Sequence, residues 1–77
     1  MSQWNEVDNH LEKNFKFKNY TEVMKFVNEV AGLANSLNHH PQMVVDYNKV
    51  LIRVTTHDAA NTITEKDKKL SEAIDQL

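Results

Sequence analysis

The chain has 77 residues and no cysteine, which indicates one small domain over residues 1–77 and excludes a disulfide or a zinc–thiolate site. Nine lysines and arginines stand against eleven aspartates and glutamates. The basic excess typical of nucleic-acid-binding proteins is therefore missing, and we expect no nucleic-acid partner. No apolar run approaches the roughly 20 residues that cross a bilayer, and the polar, acidic first residues do not resemble a secretory signal. We expect a soluble, cytoplasmic protein without membrane association.

The small size of the domain predicts self-association. A chain of this length buries only about 60–65 % of the surface that its unfolded form exposes. Small domains of this kind often depend on a disulfide, a metal or a partner subunit. Because the sequence has no cysteine, association with another subunit is the simplest remaining way to stabilise the domain. We therefore expect a dimer or a larger oligomer.

Two strands are predicted at the start of the chain. Residues 4–7 form the first, and a turn over residues 8–10 follows. Residues 11–18 form the second, because Lys13, Phe15 and Phe17 alternate with polar residues in the period-two pattern of a half-buried strand.

A helix is predicted to begin at Asn19, because Glu22 lies three residues later at the spacing of a capping box. We expect it to end before Asn38, since Pro41 disfavours helical geometry at the residue that precedes it. Its apolar stripe recurs at steps of three and four; it consists of Val23, Phe26, Val27, Val30, Ala34 and Leu37.

A hairpin and a second helix complete the predicted fold. Residues 43–46 and 49–56 form two strands around a tight turn at Tyr47 and Asn48, because asparagine tolerates the positive φ that such turns require. Thr64 then caps the last helix, with Asp67 at its third position. The apolar stripe of this helix consists of Leu70, Ala73, Ile74 and Leu77.

The order of elements is therefore ββαββα, which predicts an α+β fold of two layers. In this architecture two helices cover one face of a four-stranded antiparallel sheet. The other face would stay partly open or would serve a partner or a substrate.

Three of the four histidines, His39, His40 and His57, flank the predicted hairpin. Counting outward from the turn pairs residue 39 with approximately residue 56, so we expect His39 and His57 to approach each other across one hollow. Imidazoles both give and take protons near neutral pH. The arrangement favours proton-transfer chemistry on a small molecule.

Other interpretations of the histidines stay open on the residues alone. A His-His-Pro sequence in a polar loop is usually only a surface turn. Three imidazoles with Asp46 or Asp58 would suit zinc, although adjacent histidines in an extended chain point to opposite sides. A nucleophilic hydrolase is disfavoured, because Ser36 lies at a helix end without the glycines of a nucleophile elbow.

Four runs of the sequence closely resemble the pterin-4a-carbinolamine dehydratase family. They are residues 38–41 (NHHP), 47–50 (YNKV), 55–58 (TTHD) and 64–67 (TEKD). The spacing is also that of the family: His-His-Pro, then an aromatic residue (Tyr47), a histidine (His57) and an aspartate (Asp67) ten residues further on. Segments 4–7 and 15–18 are similar too, so the resemblance covers nearly the whole chain.

The resemblance implies the fold predicted above and a lyase activity, the dehydration of 4a-hydroxytetrahydropterin to quinonoid dihydropterin in tetrahydrobiopterin recycling. It implies a small-molecule pterin substrate, no cofactor, no metal and a homodimer or homotetramer. His39, His40 and His57 would be catalytic, with His39 and His57 as acid and base and His40 holding or orienting the pterin. The substrate-binding residues implied are Asn38, His39, His40, Thr55, Thr56, His57 and Asp58.

The sequence departs from the family pattern in ways that leave an alternative open. Asn38 stands where an aspartate is common, which predicts that a carboxylate able to orient His39 is missing. Gln42 and Met43 replace a frequent acidic–tryptophan pair and weaken an aromatic wall to the pocket. The alternative is a non-catalytic binding or oligomerisation protein on the same scaffold, whose histidines are too poorly oriented to work.

Overall fold

Four antiparallel strands and two helices make up the computed structural model, which describes residues 4–56 and 62–77. The sheet order is β1-β2-β4-β3, and both helices contribute to one apolar core on one side of it. The predicted α+β, two-layer architecture with the order ββαββα is therefore confirmed. In chain order the elements are β1 (Asn5–Val7), β2 (His10–Lys16), α1 (Tyr20–Leu37), β3 (Gln42–Val45), β4 (Lys49–Val54) and α2 (Glu65–Asp75).

The inner face of β4 forms the centre of the core. Val50, Ile52 and Val54 are all buried, and the register places Phe15 of β2 opposite Val50. Each fully buried side chain of this size contributes about 1.5–3 kcal/mol relative to exposure. The helices cover this face with the buried residues Val23, Phe26, Val30, Leu70 and Ile74.

Both hairpins close through two-residue turns. Asp8 and Asn9 have φ values of 49° and 62°, a left-handed pair that matches the twist of the strands. His10 begins β2 opposite Val7, so the prediction that it belongs to the turn is wrong. In the second hairpin the N–H of Asp46 donates to the carbonyl of Lys49 at 2.8 Å, which confirms the turn predicted at residues 47–48.

Most strand limits differ from the predictions by one or two residues, and β1 begins at Asn5 rather than at residue 4. β2 ends at Lys16: the N–H of Phe17 still donates across the sheet to the carbonyl of the turn residue Asn48, whereas that of Lys18 leaves the sheet and donates to Glu22 Oε1. β3 is shifted one residue towards the N-terminus, since the N–H of Asp46 closes the turn. β4 ends at Val54, the last residue that has a partner on β2.

Helix α1 has the predicted limits, but it ends for a different reason. Asn19 Oδ1 accepts a hydrogen bond from the N–H of Glu22 at 2.9 Å, as the capping pattern predicted. At the other end Asn38 adopts a left-handed φ of 52°, and the N–H of His39 donates to the carbonyl of Ala34 at 3.0 Å. This is the geometry that ends many helices, so Asn38 rather than Pro41 stops α1. Leu37, the last residue of the predicted apolar stripe, is 43 % exposed and lies outside the core.

Helix α2 begins at the predicted N-cap, Thr64, which forms a capping box with Asp67. Leu70 and Ile74 of its stripe are fully buried, whereas Leu77 lies beyond the last turn and is half exposed. Within residues 4–56 and 62–77 no helix has both the length and the apolarity needed to cross a membrane.

Candidate functional site

The end of α1 places His39 against α2. The left-handed turn at Asn38 reverses the chain, and the side chain of His39 is only 12 % exposed. Its Nε2 lies 2.6 Å from Oδ1 of Asp67, in the first turn of α2. The imidazole is therefore fixed between the two helices by one short hydrogen bond to a carboxylate.

The carboxylate of Asp67 is fully buried and joins three parts of the fold. Oδ1 faces His39, while Oδ2 accepts from the hydroxyl of Thr56 at 2.6 Å and from the N–H of Thr64 at 2.8 Å. The hydroxyl of Thr64 lies 2.7 Å from that of Thr56. Because the Thr56 hydroxyl donates to Asp67, the Thr64 hydroxyl is the donor to Thr56.

These contacts decide the ionisation of Asp67. Burial by itself would raise the pKa of this carboxyl, but the hydrogen bonds from Thr56, from His39 and from the N–H of Thr64 outweigh burial. The pKa of Asp67 is lowered as a result, and the group is an anion at neutral pH.

An ionised Asp67 fixes the tautomer of His39. A carboxylate without a proton only accepts hydrogen bonds, so Nε2 of His39 must carry the hydrogen in the 2.6 Å contact. In the neutral ring, Nδ1 is then the nitrogen with the free lone pair. The site therefore presents one oriented imidazole nitrogen that is able to take a proton.

The neighbouring residue, His40, is held differently and is exposed. Its Nε2 lies 3.1 Å from Oδ1 of Asn35, in the last turn of α1. The two adjacent histidines therefore have partners on different helices, so His40 does not share the Asp67 contact.

The other predicted site residues are only partly brought together. Thr56 joins His39 through Asp67, whereas the hydroxyl of Thr55 donates to the carbonyl of Asn9 at 2.8 Å, in the β1–β2 turn. Asn38 is exposed beside His39. His57 and Asp58 lie outside the described residues, so the predicted approach of His57 to His39 stays a prediction.

The register supports the reasoning behind that prediction. Gln42 lies opposite Arg53 and Val45 opposite Val50, and the same count continues to residues 39 and 56. These two residues do meet, through the carboxylate of Asp67. In the described part of the chain, the hairpin register thus brings residues 39 and 56 together around Asp67.

Asp67 is the residue that the sequence reasoning did not assign to the site. Two patterns had marked it, as the third residue of a capped helix and as the aspartate of the family spacing, but neither identified His39 as its partner. The prediction that His39 lacks a carboxylate to orient it is wrong. Asp67 supplies that carboxylate from α2, 28 residues further along the chain.

Among residues 4–56 and 62–77, no group of three or more His, Cys, Asp or Glu side chains is arranged to hold a metal ion. Of the three histidines proposed as zinc ligands, only His39 and His40 lie in these ranges, and they face separate partners.

Known proteins give a consistent comparison over the whole chain. The sequence profile of the family described as pterin 4 alpha carbinolamine dehydratase matches residues 1–77. A Picosynechococcus protein assigned provisionally to that enzyme by its name is 44% identical over 75 residues, which are 97% of this chain and 80% of the relative. A Sulfurisphaera tokodaii protein with the same provisional name is 43% identical over 77 residues, 100% of this chain and 82% of the relative.

Solved structures agree with the fold. A transcriptional coactivator/pterin dehydratase from Brucella melitensis superposes with a TM-score of 0.88 at 32% identity, over 95% of this chain and 79% of that one. A pterin dehydratase-like protein identified as a RuBisCO assembly factor in the alpha-carboxysome superposes with a TM-score of 0.82. Its identity is 22%, over 97% of this chain and 88% of that one, and it supports the fold alone. Taken with the profile match over every residue, these similarities show that the chain belongs to the pterin 4 alpha carbinolamine dehydratase family.

Proposed function

We propose that the protein dehydrates 4a-hydroxytetrahydropterin to quinonoid dihydropterin and water, with His39 and His57 as the acid–base pair. The observation that carries this proposal is the orientation of His39. Its Nε2–H is held by the buried Asp67 carboxylate, which leaves Nδ1 to exchange a proton with a substrate.

The reaction needs two proton transfers and no electron acceptor. The C4a–O bond breaks while the lone pair on N5 forms a C4a=N5 double bond. The hydroxyl takes a proton and leaves as water, and N5 gives its proton to a base. One imidazole gives the proton to the leaving hydroxyl and the other takes the proton from N5. Each positioned group contributes about 10²–10⁴-fold to the rate.

The remaining predicted residues would bind the pterin. His40 and Asn38 lie next to His39 in the chain, on the exposed side of the α1 end. We assign Thr55 a contribution through its backbone, because its hydroxyl already donates to Asn9. Thr56, His57 and Asp58 complete the proposed set at the other end of the hairpin.

The direct test generates the 4a-hydroxypterin enzymatically and follows the loss of its absorbance with and without the protein. We expect faster loss with the protein and a decrease of about 10²-fold or more in His39→Ala and in His57→Ala. His10→Ala is the matched control, because its imidazole is hydrogen-bonded to the carbonyl of Asp8, in the β1–β2 turn, and not to the His39 network. Equal rates with the protein and with the blank would refute the enzyme proposal.

A non-catalytic assembly role is the second candidate. It is supported by the similarity of fold to the carboxysome assembly factor, since that protein carries a dehydratase-like fold with a different function. The same assay distinguishes the two candidates: a folded protein that binds a pterin but does not accelerate dehydration would favour this role.

We also propose that the chain forms a homodimer or homotetramer through the edge of its sheet. β3 is an edge strand whose four residues carry no charge, and Val44 and Val45 are 48% and 42% exposed. An uncharged apolar edge is a template for pairing with another strand. A cytoplasmic location and a place in tetrahydrobiopterin recycling are parts of the same proposal.

A further inference from the structure

Two threonine hydroxyls lie between the end of β4 and the start of α2. Thr56 follows the strand by two residues and is only 5 % exposed, and Thr64 is the N-cap of α2. Their hydroxyl oxygens are 2.7 Å apart. A buried hydroxyl has a single hydrogen, which needs an acceptor. The direction of each hydrogen therefore shows what the pair does.

Both hydroxyl hydrogens are directed along a path that ends at Asp67. The N–H of Lys66 donates to the hydroxyl oxygen of Thr64 at 3.3 Å, and the hydroxyl of Thr64 donates in turn to that of Thr56. The hydroxyl of Thr56 donates to Oδ2 of Asp67 at 2.6 Å. Hydrogen bonds aligned in this way polarise and strengthen one another. The hydrogen of the Thr56 hydroxyl is thus used by Asp67 rather than by a pterin.

Two donors fix one oxygen of the Asp67 carboxylate and thereby direct the other. Oδ2 accepts from the hydroxyl of Thr56 and, at 2.8 Å, from the N–H of Thr64. One donor follows the sheet and the other precedes α2, so two elements hold the planar group. Oδ1 then lies 2.6 Å from Nε2 of His39, and the direction of this contact depends on how Oδ2 is held.

The main chain at Thr56 is fixed as well. Its N–H donates to the carbonyl of Thr62 at 3.0 Å, in an antiparallel bridge between the two residues. Two residues earlier, Val54 pairs with Leu11 of β2. The hydroxyl of Thr56 therefore holds Asp67 from an anchored position on the backbone.

We infer that Thr56 is a positioning residue of the proposed dehydratase: its hydroxyl directs the carboxylate of Asp67 at the ring of His39. The hydroxyl of Thr64 orients it in turn. The inference rests on the proposed function and changes the part that Thr56 has in it. The hydroxyl acts through Asp67, which keeps Nδ1 of His39 available to the substrate, and it does not contact the pterin.

Enzyme kinetics separate this role from pterin binding. Thr56→Val keeps the shape of the side chain but lacks the hydroxyl. It should lower kcat about tenfold, because a misdirected imidazole exchanges protons less efficiently. KM should stay close to the wild-type value, since no contact with the substrate is lost. Thr56→Ser keeps the hydroxyl and should retain most of kcat.

Ser71→Ala is the matched control. Ser71 is 6 % exposed in α2, and its hydroxyl donates to the carbonyl of Lys68 at 2.9 Å. This variant also loses the hydrogen bond of a buried hydroxyl, but it keeps the contacts of Asp67, so kcat should stay at the wild-type value. Thermal unfolding establishes that each variant is folded. If Thr56→Val does not fold, Thr56→Ala takes its place.

The tautomer of His39 gives a second readout that does not depend on activity. Nitrogen-15 NMR distinguishes a ring nitrogen that carries hydrogen from one that does not, and loss of signals in His39→Ala identifies those of His39. While the imidazole is neutral, the wild type should carry the hydrogen on Nε2. Thr56→Val should also populate the tautomer with hydrogen on Nδ1, because the contact with Asp67 is weaker.

The inference is overturned if Thr56→Val keeps the wild-type kcat; a raised KM in that case would indicate that the hydroxyl binds the pterin. It is also overturned if Thr56→Ser or Ser71→Ala loses as much kcat as Thr56→Val, or if Thr56→Val leaves the tautomer of His39 unchanged. A wild-type protein without dehydratase activity would refute the proposed function alone, because the tautomer comparison would still test the positioning role.

Discussion

At the scale of single residues, one buried carboxylate connects the fold to the chemistry. Asp67 belongs to the capping box that begins α2, and it holds both Thr56 and the ring of His39. Burial opposes the charge on this group, and three hydrogen bonds overcome that opposition. The same anion therefore stabilises a helix end and selects the tautomer of a proposed catalytic histidine.

Replacement of this residue by its amide tests both roles. Asp67→Asn keeps the size but removes the charge, and its NH₂ group faces either His39 or the donors at Oδ2. We expect a loss of about 1–3 kcal/mol in the free energy of unfolding, because buried donors lose an ideal acceptor. We also expect kcat to decrease by about 10²-fold, because Nε2 of His39 no longer has to carry the hydrogen. Urea denaturation and the dehydratase assay measure the two effects.

The matched control is Asp46→Asn, at an exposed turn residue whose ion pair with Lys49 is 4.0 Å long. It should change neither quantity. If Asp67→Asn lost stability but kept the wild-type kcat, the orienting role of Asp67 would be excluded while its structural role would stand.

The lowered pKa of Asp67 also predicts the direction of a pH effect. In the unfolded chain an aspartate titrates near pH 3.9, and in the folded protein its pKa is lower. The unfolded state therefore binds the proton first as the pH falls. The contribution of Asp67 to stability is complete above the unfolded pKa and is lost as the pH falls through the folded pKa. Unfolding free energies measured between pH 6 and pH 2.5 should fall less steeply for Asp67→Asn, and an unchanged slope would contradict this assignment.

The sequence predicted the members of this network better than their connections. A capping pattern identified Thr64 and Asp67, and the resemblance to the family identified His39 and Thr56. Their meeting depends on how α2 lies against the end of α1, which is set by packing of Leu70 and Ile74 in the core. Neither periodicity nor spacing encodes that placement. The sequence therefore predicted that His39 has no carboxylate partner, whereas the fold provides Asp67.

At the scale of elements, the end of α1 decides where His39 lies. Asn38 takes the left-handed conformation, and the N–H of His39 reaches back to Ala34. A residue that could not adopt this conformation would let the helix continue or fray, and it would move the imidazole away from Asp67.

Substitution at Asn38 separates backbone conformation from side-chain chemistry. Asn38→Ala should lower the free energy of unfolding by about 1 kcal/mol, because the left-handed conformation costs alanine about 1–2 kcal/mol. Asn38→Gly should keep or slightly raise stability, since glycine reaches that conformation freely. Urea denaturation of the two variants provides the measurement. An equal loss in both would mean that the side chain, rather than the positive φ, matters at this position.

Most helices, strands and turns could be predicted from residues that are close together in the sequence. The turn at residues 47–48 and both helix N-caps are as predicted, because each depends on neighbouring residues. Strand ends were less predictable, since they depend on distant partners such as Asn48 for the N–H of Phe17. The end of α1 was placed correctly but for the wrong reason, because proline acts on the residue just before it and Asn38 is three residues away.

At the scale of the whole molecule, the two edges of the sheet differ. β1 has three residues, includes Glu6 and is followed by Asp8, so charge protects it against pairing. β3 has four uncharged residues with apolar side chains that are nearly half exposed. A two-fold axis beside β3 would pair this strand with its own copy and extend the sheet across two subunits.

The edge of β3 therefore gives a prediction about assembly. Val44→Lys places a charge in the proposed contact, which disfavours strand pairing, and Val44 is exposed enough that the fold should survive. Light scattering after size-exclusion chromatography should report a multiple of 8.9 kDa for the wild-type chain and a smaller species for this variant. Val7→Lys, at the other edge and 40% exposed, is the matched control and should assemble like the wild type. A wild-type chain that is already monomeric at micromolar concentration, or a Val44→Lys variant with unchanged mass, would exclude β3 as the interface.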